Sequence, residues 1–258
     1  MKKLLNEKYI VVTGTAKGMG KQMVETFAEN GACVYACART ETDEHKKYCK
    51  EIADKFGVEI HPVFFELTDE SAVKNAIKEI RGYKTPINGL VNNAGISFTA
   101  LYQMTRKEDL EKVNDTDFIA PYLFTQYIVK LMQRNGGGSI VNIASSAAKD
   151  CNPGLSAYAT SKAALAAMTK CISHELAASG IRSNAICPGV TQTNMISDMH
   201  DYILDIQKKA SFLNKIATPE DIANVAMFLL SDYSSYITGE LISVDGGVTQ
   251  YQKRQELE

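Results

Sequence analysis

Seven short apolar runs, separated by longer amphipathic stretches, constrain this chain more than any other feature. The runs are Tyr9–Val12, Ala32–Ala38, Ile60–Phe65, Ile87–Val91, Ser139–Ala144, Ile181–Cys187 and Leu241–Val244. Each is largely apolar at successive positions, as a strand covered on both faces must be. Helical periodicity is clearest over Gly20–Glu29, Ser71–Arg81, Thr116–Arg134, Ala157–Ala178 and Pro219–Leu230. Pro219 followed by Glu220 and Asp221 is a favourable helix start, with proline in the first turn and acids at the positive end. Repeated strand–helix–strand units require right-handed crossovers, so the prediction is an α/β, doubly wound parallel sheet of about seven strands. No repeat, linker or low-complexity tract divides residues 1–258, and a single domain is expected. The stretch from about Asn194 to Lys215 has helical character with weaker patterning and is the candidate substrate lid.

The first run leads directly into Thr13-Gly14-Thr15-Ala16-Lys17-Gly18-Met19-Gly20, which opens a helix. That context gives a glycine-rich match meaning as a dinucleotide site. Gly14 permits a tight turn, Gly18 lets the backbone approach a pyrophosphate, and Gly20 allows close helix–strand packing. The helix N-terminus offers free N–H groups to phosphate. A plain strand–turn–helix connection could use the same glycines. The second run ends Cys37-Ala38-Arg39-Thr40, without the acid that would hold a ribose 2′-OH. Arg39 can instead pair with a 2′-phosphate, and Lys17 supplies a second cation on that side. These residues favour NADP(H). Thr15 and Thr40 are counted with the cofactor residues.

Asn92-Asn93-Ala94-Gly95 follows the fourth run, where ligands sit beyond strand ends in this architecture. Tyr158 and Lys162 are spaced i,i+4, one turn apart on one helix face. Ser145 lies 13 residues before Tyr158, at the end of the fifth run. Asn114 stands just ahead of the helix expected from Thr116.

The remaining features mostly exclude. A formal charge of −2 gives no bulk attraction to nucleic acid or to an anionic membrane. No run reaches the roughly 18 apolar residues of a membrane span. The start Met1-Lys2-Lys3-Leu4-Leu5 is interrupted by Asn6, Glu7 and Lys8 before an apolar core develops. Six cysteines show no CxxC pair and no zinc spacing with a histidine, so reduced, buried thiols in a cytoplasmic protein are expected, with no metal. His45, His61, His174 and His200 are scattered and read as structural or surface residues.

TGxxxGxG, NNAG, Asn114, Ser145, YxxxK and Pro188-Gly189 occur in the order of the short-chain dehydrogenase/reductase family, which the chain resembles. The resemblance runs through Ile237-Thr238-Gly239 and Val244-Asp245-Gly246-Gly247. Only the first few residues and the tail after about Gln250 fall outside it. In pattern the chain is most similar to 3-oxoacyl-acyl-carrier-protein reductases.

The resemblance implies a Rossmann-type fold and an NADPH-dependent reduction of a carbonyl to a secondary alcohol. Tyr158 would act as general acid, or as base in the reverse direction. A free tyrosine titrates near 10, and Lys162 would favour its ionised form. Lys162 would also bond the nicotinamide ribose. Ser145 would donate to the substrate oxygen, and Asn114 would position a water that relays protons through Lys162. Glu66 and Leu67 fall where the family contacts adenine, with Glu66 in place of the more usual Asp. Asn93, Ala94 and Gly95 line the cofactor, Val190 and Thr193 after Pro188-Gly189 match carboxamide-binding positions, and Met19 replaces isoleucine.

The substrate implied first is a 3-oxoacyl thioester. Lys130 and Arg134 lie near one expected carrier-protein docking site, but Ser179 replaces the usual arginine at the second, so the patch is incomplete. A sugar intermediate of surface polysaccharide synthesis or a hydroxysteroid would fit the same apparatus. A non-catalytic NADP(H) sensor would use the same fold, although such a protein could lose all four acid–base residues. Relatives are mostly tetramers, and Ala163, Ala164, Ala166 and Ala167 would allow close helix approach between subunits.

Overall fold

A computed structural model describes residues 3–193 and 201–248. The first part of the expected lid, 194–200, and the charged tail lie outside the described residues. Seven strands form one parallel sheet: β1 (Tyr9–Thr13), β2 (Cys33–Ala38), β3 (Ile60–Phe64), β4 (Gly89–Asn92), β5 (Gly138–Ile143), β6 (Ile181–Pro188) and β7 (Leu241–Val244). Their spatial order is β3-β2-β1-β4-β5-β6-β7. The order reverses between β1 and β4, and this switch point opens a crevice beyond the carboxyl ends of the strands.

The helices are α1 (Gly18–Glu29), α2 (Asp43–Phe56), α3 (Glu70–Gly82), α4 (Lys107–Asn114), α5 (Ala120–Arg134), α6 (Ala147–Asp150), α7 (Ser156–Glu175), α8 (Asp201–Ala210) and α9 (Pro219–Leu230). They cover both sheet faces. Ile10 and Val12 of β1 pack with Met23 and Phe27 of α1 and with Ile222 and Leu229 of α9. Val11, one residue out of phase, joins Ile77 and Ile80 of α3 and Phe124, Ile128 and Met132 of α5. Alternate side chains of a strand point to opposite faces, so a run covered by two layers must be apolar throughout. Each of these side chains contributes roughly 1.5–3 kcal/mol on burial.

The predicted start of α9 is an intact capping box. Thr218 Oγ1 accepts from Asp221 N at 3.2 Å, and Thr218 N donates to the Asp221 carboxylate at 2.8 Å.

Helices α2, α4 and the four-residue α6 lie outside the stretches of clearest periodicity. Helix α2 buries only His45, Cys49 and Ile52, and α4 buries only Val113. Helix α2 is mostly polar, yet its Tyr48, Cys49, Ile52 and Phe56 share one face and pack on the core. Thr42 caps α2 by accepting from His45 N. The long helix expected from Thr116 is also corrected: α4 runs into α5 through a π turn at Asp115–Ile119. Asn114 is therefore inside a continuous, locally widened helix. Cys37, Cys49 and Cys187 are buried as expected, but Cys151 and Cys171 are exposed. Burial pushes the Cys49 thiol up to about 11, which keeps it protonated and unreactive. His45 is buried, with Nε2 3.2 Å from Thr15 Oγ1, and is structural.

Candidate functional site

The glycine-rich turn is shaped by positions that only glycine fills. Gly14 and Gly18 have φ of 73° and 59°. A Cβ on Gly20 would stand 2.2 Å from Gly14 O and 2.5 Å from Asn93 Nδ2. A Cβ on Gly14 would stand 2.9 Å from Ala94 Cα. The turn is clamped to the β4 loop: Asn93 Nδ2 donates to Thr13 O at 2.9 Å and to Gly14 O at 3.1 Å. Thr13 Oγ1 accepts from Asn93 N and Ala94 N, both at 3.0 Å. Helix α1 starts at Gly18 without a side-chain cap on its first N–H groups. A bare helix end behind a close backbone cradle fits a pyrophosphate.

Other expected cofactor residues take several places. Lys17, Arg39 and Thr40 are exposed at the carboxyl ends of β1 and β2. Thr15 is fully buried; its backbone N and hydroxyl both donate to Cys37 O at 3.0 Å, so its side chain ties the turn to β2. Met19 packs on the core, and Leu67 does so on the opposite face. Glu66 turns onto its own loop, accepting from Thr68 N and Oγ1 at 3.2 and 3.0 Å. Thr193 approaches the turn from above, its Cγ2 3.4 Å from where a Gly18 Cβ would sit. Gly189 is held by its N–H to Val244 O at 3.0 Å, and the carbonyl of Pro188 accepts from Ser146 N at 2.9 Å. Val190 O accepts from Ala217 N at 3.2 Å, joining this loop to the segment before α9.

Three of the expected acid–base residues stand at the carboxyl end of β5 and on α7. Ser145 lies two residues beyond β5, and its Oγ accepts from Ala147 N at 3.1 Å. Tyr158, half-buried, and Lys162, buried, share one face of α7, with Lys162 Nζ 5.8 Å from the Tyr158 ring centre. Lys162 Nζ also donates to Ile143 O at 3.2 Å. Asn114 Nδ2 donates to Leu110 O at 2.9 Å, within its own helix. From that helix it is Asp117 that reaches Lys162, with Oδ2 3.2 Å from Nζ. The π turn adds a residue to the helical repeat and resets which side chain faces α7.

Gly95 makes room for this contact. A Cβ there would stand 3.0 Å from Lys162 Nζ and 3.2 Å from Asp117 Oδ1. Burial lowers the Lys162 pKa, but the charges of Asp117 and Tyr158 more than offset it and hold it above its ordinary value.

Sequence reading also missed a buried amide network. Asn92 Nδ2 donates to Thr125 Oγ1 at 2.9 Å and to Asn142 Oδ1 at 2.7 Å. Asn142 Nδ2 donates to Thr169 Oγ1 at 2.8 Å. The chain of bonds joins β4, β5, α5 and α7, and so fixes the helix that carries Tyr158 and Lys162. The partners of Asn92 are distant in sequence, so no local pattern signals the network.

Ala100 N donates to Gly154 O at 2.9 Å, joining two loops beside the crevice. Leu101, Tyr102 and Met104 of the first of these loops are exposed. At the surface formed by α5 and the end of α7, Lys130 and Arg134 are exposed, and Gln133 Nε2 donates to Ser179 Oγ at 3.0 Å. Among the described residues no helix is long and apolar enough to cross a membrane, and no cluster of three or more His, Cys, Asp or Glu could hold a metal.

Comparison with known proteins agrees with this geometry. Residues 14–249 match a family model described as enoyl-(acyl carrier protein) reductase. The chain is 36% identical to the 3-oxoacyl-[acyl-carrier-protein] reductase of Aquifex aeolicus, over 95% of its own length and 98% of that protein. It is 34% identical to a 3alpha-hydroxysteroid dehydrogenase of Mediterraneibacter gnavus, over 94% and 97% of the two chains. Among solved structures, a short-chain type dehydrogenase/reductase from Mycobacterium marinum superposes with a TM-score of 0.89 at 30% identity, covering 96% of this chain and 98% of that one.

Proposed function

Since the chain belongs to the short-chain dehydrogenase/reductase family, oxidoreductases acting on CH–OH and C=O groups, we propose that it reduces a carbonyl to a secondary alcohol with NADPH, and that its substrate is a 3-oxoacyl thioester. The observation that carries this reading is the place of Lys162, one helical turn from Tyr158: it donates to Ile143 O, two residues before Ser145, and stands 3.0 Å from where a Gly95 Cβ would sit in the β4 loop that clamps the glycine-rich turn. Bound NADPH would supply hydride to the carbonyl carbon. Tyr158 gives its phenolic proton to the carbonyl oxygen as the C–O π bond breaks. Ser145 donates to the same oxygen while negative charge develops there. Lys162 holds its positive charge beside the phenol, which lowers the cost of the proton leaving. Gly14, Gly18 and Gly20 let the backbone approach the pyrophosphate, while Asn93, Ala94 and Gly95 border it from β4. Gly189, Val190 and Thr193 would hold the carboxamide. The described part of the expected lid, residues 201–215, would cover the substrate.

NADP(H) is favoured over NAD(H) by two exposed cations, Lys17 and Arg39, and by the lack of an acid in Cys37-Ala38-Arg39-Thr40 at the end of β2. Arg39→Asp is expected to weaken NADPH binding by about 10–100-fold, the worth of a charge-assisted pair, and to narrow the preference over NADH. Titrating each dinucleotide by fluorescence measures both effects.

The thioester reading is supported by the named activity of the Aquifex aeolicus relative. A hydroxysteroid is the second reading, supported by the Mediterraneibacter gnavus relative; a sugar intermediate would use the same apparatus. Ser179, bonded to Gln133, stands where an arginine would complete the cation pair Lys130 and Arg134, so docking of an acidic carrier would be weak and free thioesters the better probe. The deciding assay follows NADPH consumption with acetoacetyl thioester, beside an enoyl thioester and a hydroxysteroid run with NADP+. Rapid turnover of the first alone supports ketoacyl reduction; turnover of the steroid alone replaces it. A cytoplasmic homotetramer completes the reading: Ala163 and Ala167 are exposed on α7 and small enough for close helix approach. A monomer mass at micromolar concentration would contradict it.

A further inference from the structure

Among the described residues, Asp117 and Lys162 are the only buried side chains of the Asp, Glu, Lys and Arg types, and they face one another. Asp117 is fully enclosed. Its Oδ1 accepts from Ile96 N at 2.8 Å, while Oδ2 has no hydrogen-bond partner and lies 3.2 Å from Lys162 Nζ. We propose that Asp117 is the counter-ion of Lys162, a positioning residue whose charge keeps the Tyr158–Lys162 pair fully protonated and so biases this site towards carbonyl reduction. The inference rests on the reading of Tyr158 as the proton donor.

An ammonium taken out of water needs a charge partner as well as hydrogen bonds. Ile143 O supplies one acceptor from β5, while Ile96 N–H in the β4 loop is a donor and serves Asp117. The charged and titratable side chains acting on Lys162 are Asp117 from the π turn and Tyr158 from its own helix. A fixed negative charge here disfavours loss of the first proton from the coupled pair. Reduction begins with both protons in place and leaves the pair one proton short. Alcohol oxidation needs the proton-depleted form at the outset. The same carboxylate therefore assists one direction and opposes the other. Desolvation pulls Lys162 towards neutrality, and Asp117 and Tyr158 together outweigh it, in keeping with this role.

Asp117→Asn removes the charge and keeps an oxygen to accept from Ile96 N. For NADPH-dependent reduction, the basic limb of its pH–rate profile should move to lower pH. The ratio of rate at pH 9 to rate at pH 6 should then fall roughly tenfold against the parent chain. In the cofactor-free protein, carbon-13 NMR of the lysine ε-carbons, with Lys162 identified by its loss in Lys162→Met, should show Lys162 titrating at lower pH in the variant. A rate loss uniform across pH with unchanged Lys162 titration would overturn the proposal, because a purely structural residue behaves that way. Heat stability gives an arm that needs no active protein: Lys162→Met strands a buried carboxylate, so the double variant with Asp117→Asn should melt higher than Lys162→Met alone. An equal or lower midpoint for the double variant also overturns it. Full turnover by Tyr158→Phe, in contrast, would sink the acid–base reading, while the NMR and melting comparisons would still decide whether Asp117 is the counter-ion.

Discussion

Tyr158→Phe is expected to lose about 10²–10⁴-fold in turnover while binding NADPH as tightly as the parent chain. The substitution removes one oxygen and keeps the ring, so the packing of α7 is preserved. Tyr158 is half-buried at the crevice and its phenol makes no hydrogen bond to another side chain among those described that would be lost with it. Folding stability should therefore change by less than about 1 kcal/mol. The loss should fall on the rate constant and not on the cofactor affinity, because the proton is needed only in the transition state. Single-turnover rates with saturating NADPH, beside a binding titration, separate the two. Retained turnover would mean that the proton comes from elsewhere; lost binding would mean that the ring itself is part of the cofactor site. A protein that only sensed NADP(H) would show neither loss.

Gly20→Ala should damage the cradle and the fold together. The added methyl would overlap Gly14 O at 2.2 Å and crowd Asn93 Nδ2 at 2.5 Å. Both contacts involve atoms that cannot swing aside: one is backbone, and the other is held by bonds of 2.9 and 3.1 Å to Thr13 O and Gly14 O. Helix α1 must move outward, or the clamp between the turn and the β4 loop must open. Overpacking of this kind costs about 1–3 kcal/mol, or roughly 2–4 °C in melting temperature per kcal/mol for a domain of this size. Helix propensity alone predicts the opposite sign, since alanine is favoured over glycine by roughly 1 kcal/mol inside a helix. Dinucleotide affinity should fall as well, because the same displacement spoils the phosphate cradle. A thermal melt and an NADPH titration check the prediction. A variant that melts higher and binds normally would show that α1 can shift freely against β1.

The strands were legible because physics leaves little choice for them. Ile10, Val11 and Val12 must all be apolar when helices cover both faces, and that run can be read without knowing which helix covers which side. The Pro219-Glu220-Asp221 start of α9 was legible because a capping box is local. Helix α2 was not, although Tyr48, Cys49, Ile52 and Phe56 recur at helical spacing, because the charged residues between them make the segment polar on average. The bulk of the candidate site was legible for a related reason. Glycine at positions 14, 18 and 20, and Tyr158 with Lys162 one helical turn apart, are short-range patterns tied directly to strand and helix ends.

The sequence by itself determined the parallel α/β architecture, the cradle and the pairing of Tyr158 with Lys162, because each depends on residues a few positions apart. Only the tertiary structure decided what surrounds Lys162. It turned Asn114 back onto Leu110 O, inserted a π turn at Asp115–Ile119, and brought Asp117 to the lysine through the space that Gly95 leaves open. Those contacts join residues 45 positions apart in the case of Asp117 and Lys162. They depend on the rotation of one helix about its axis, which one extra residue in a turn changes and which no local pattern encodes.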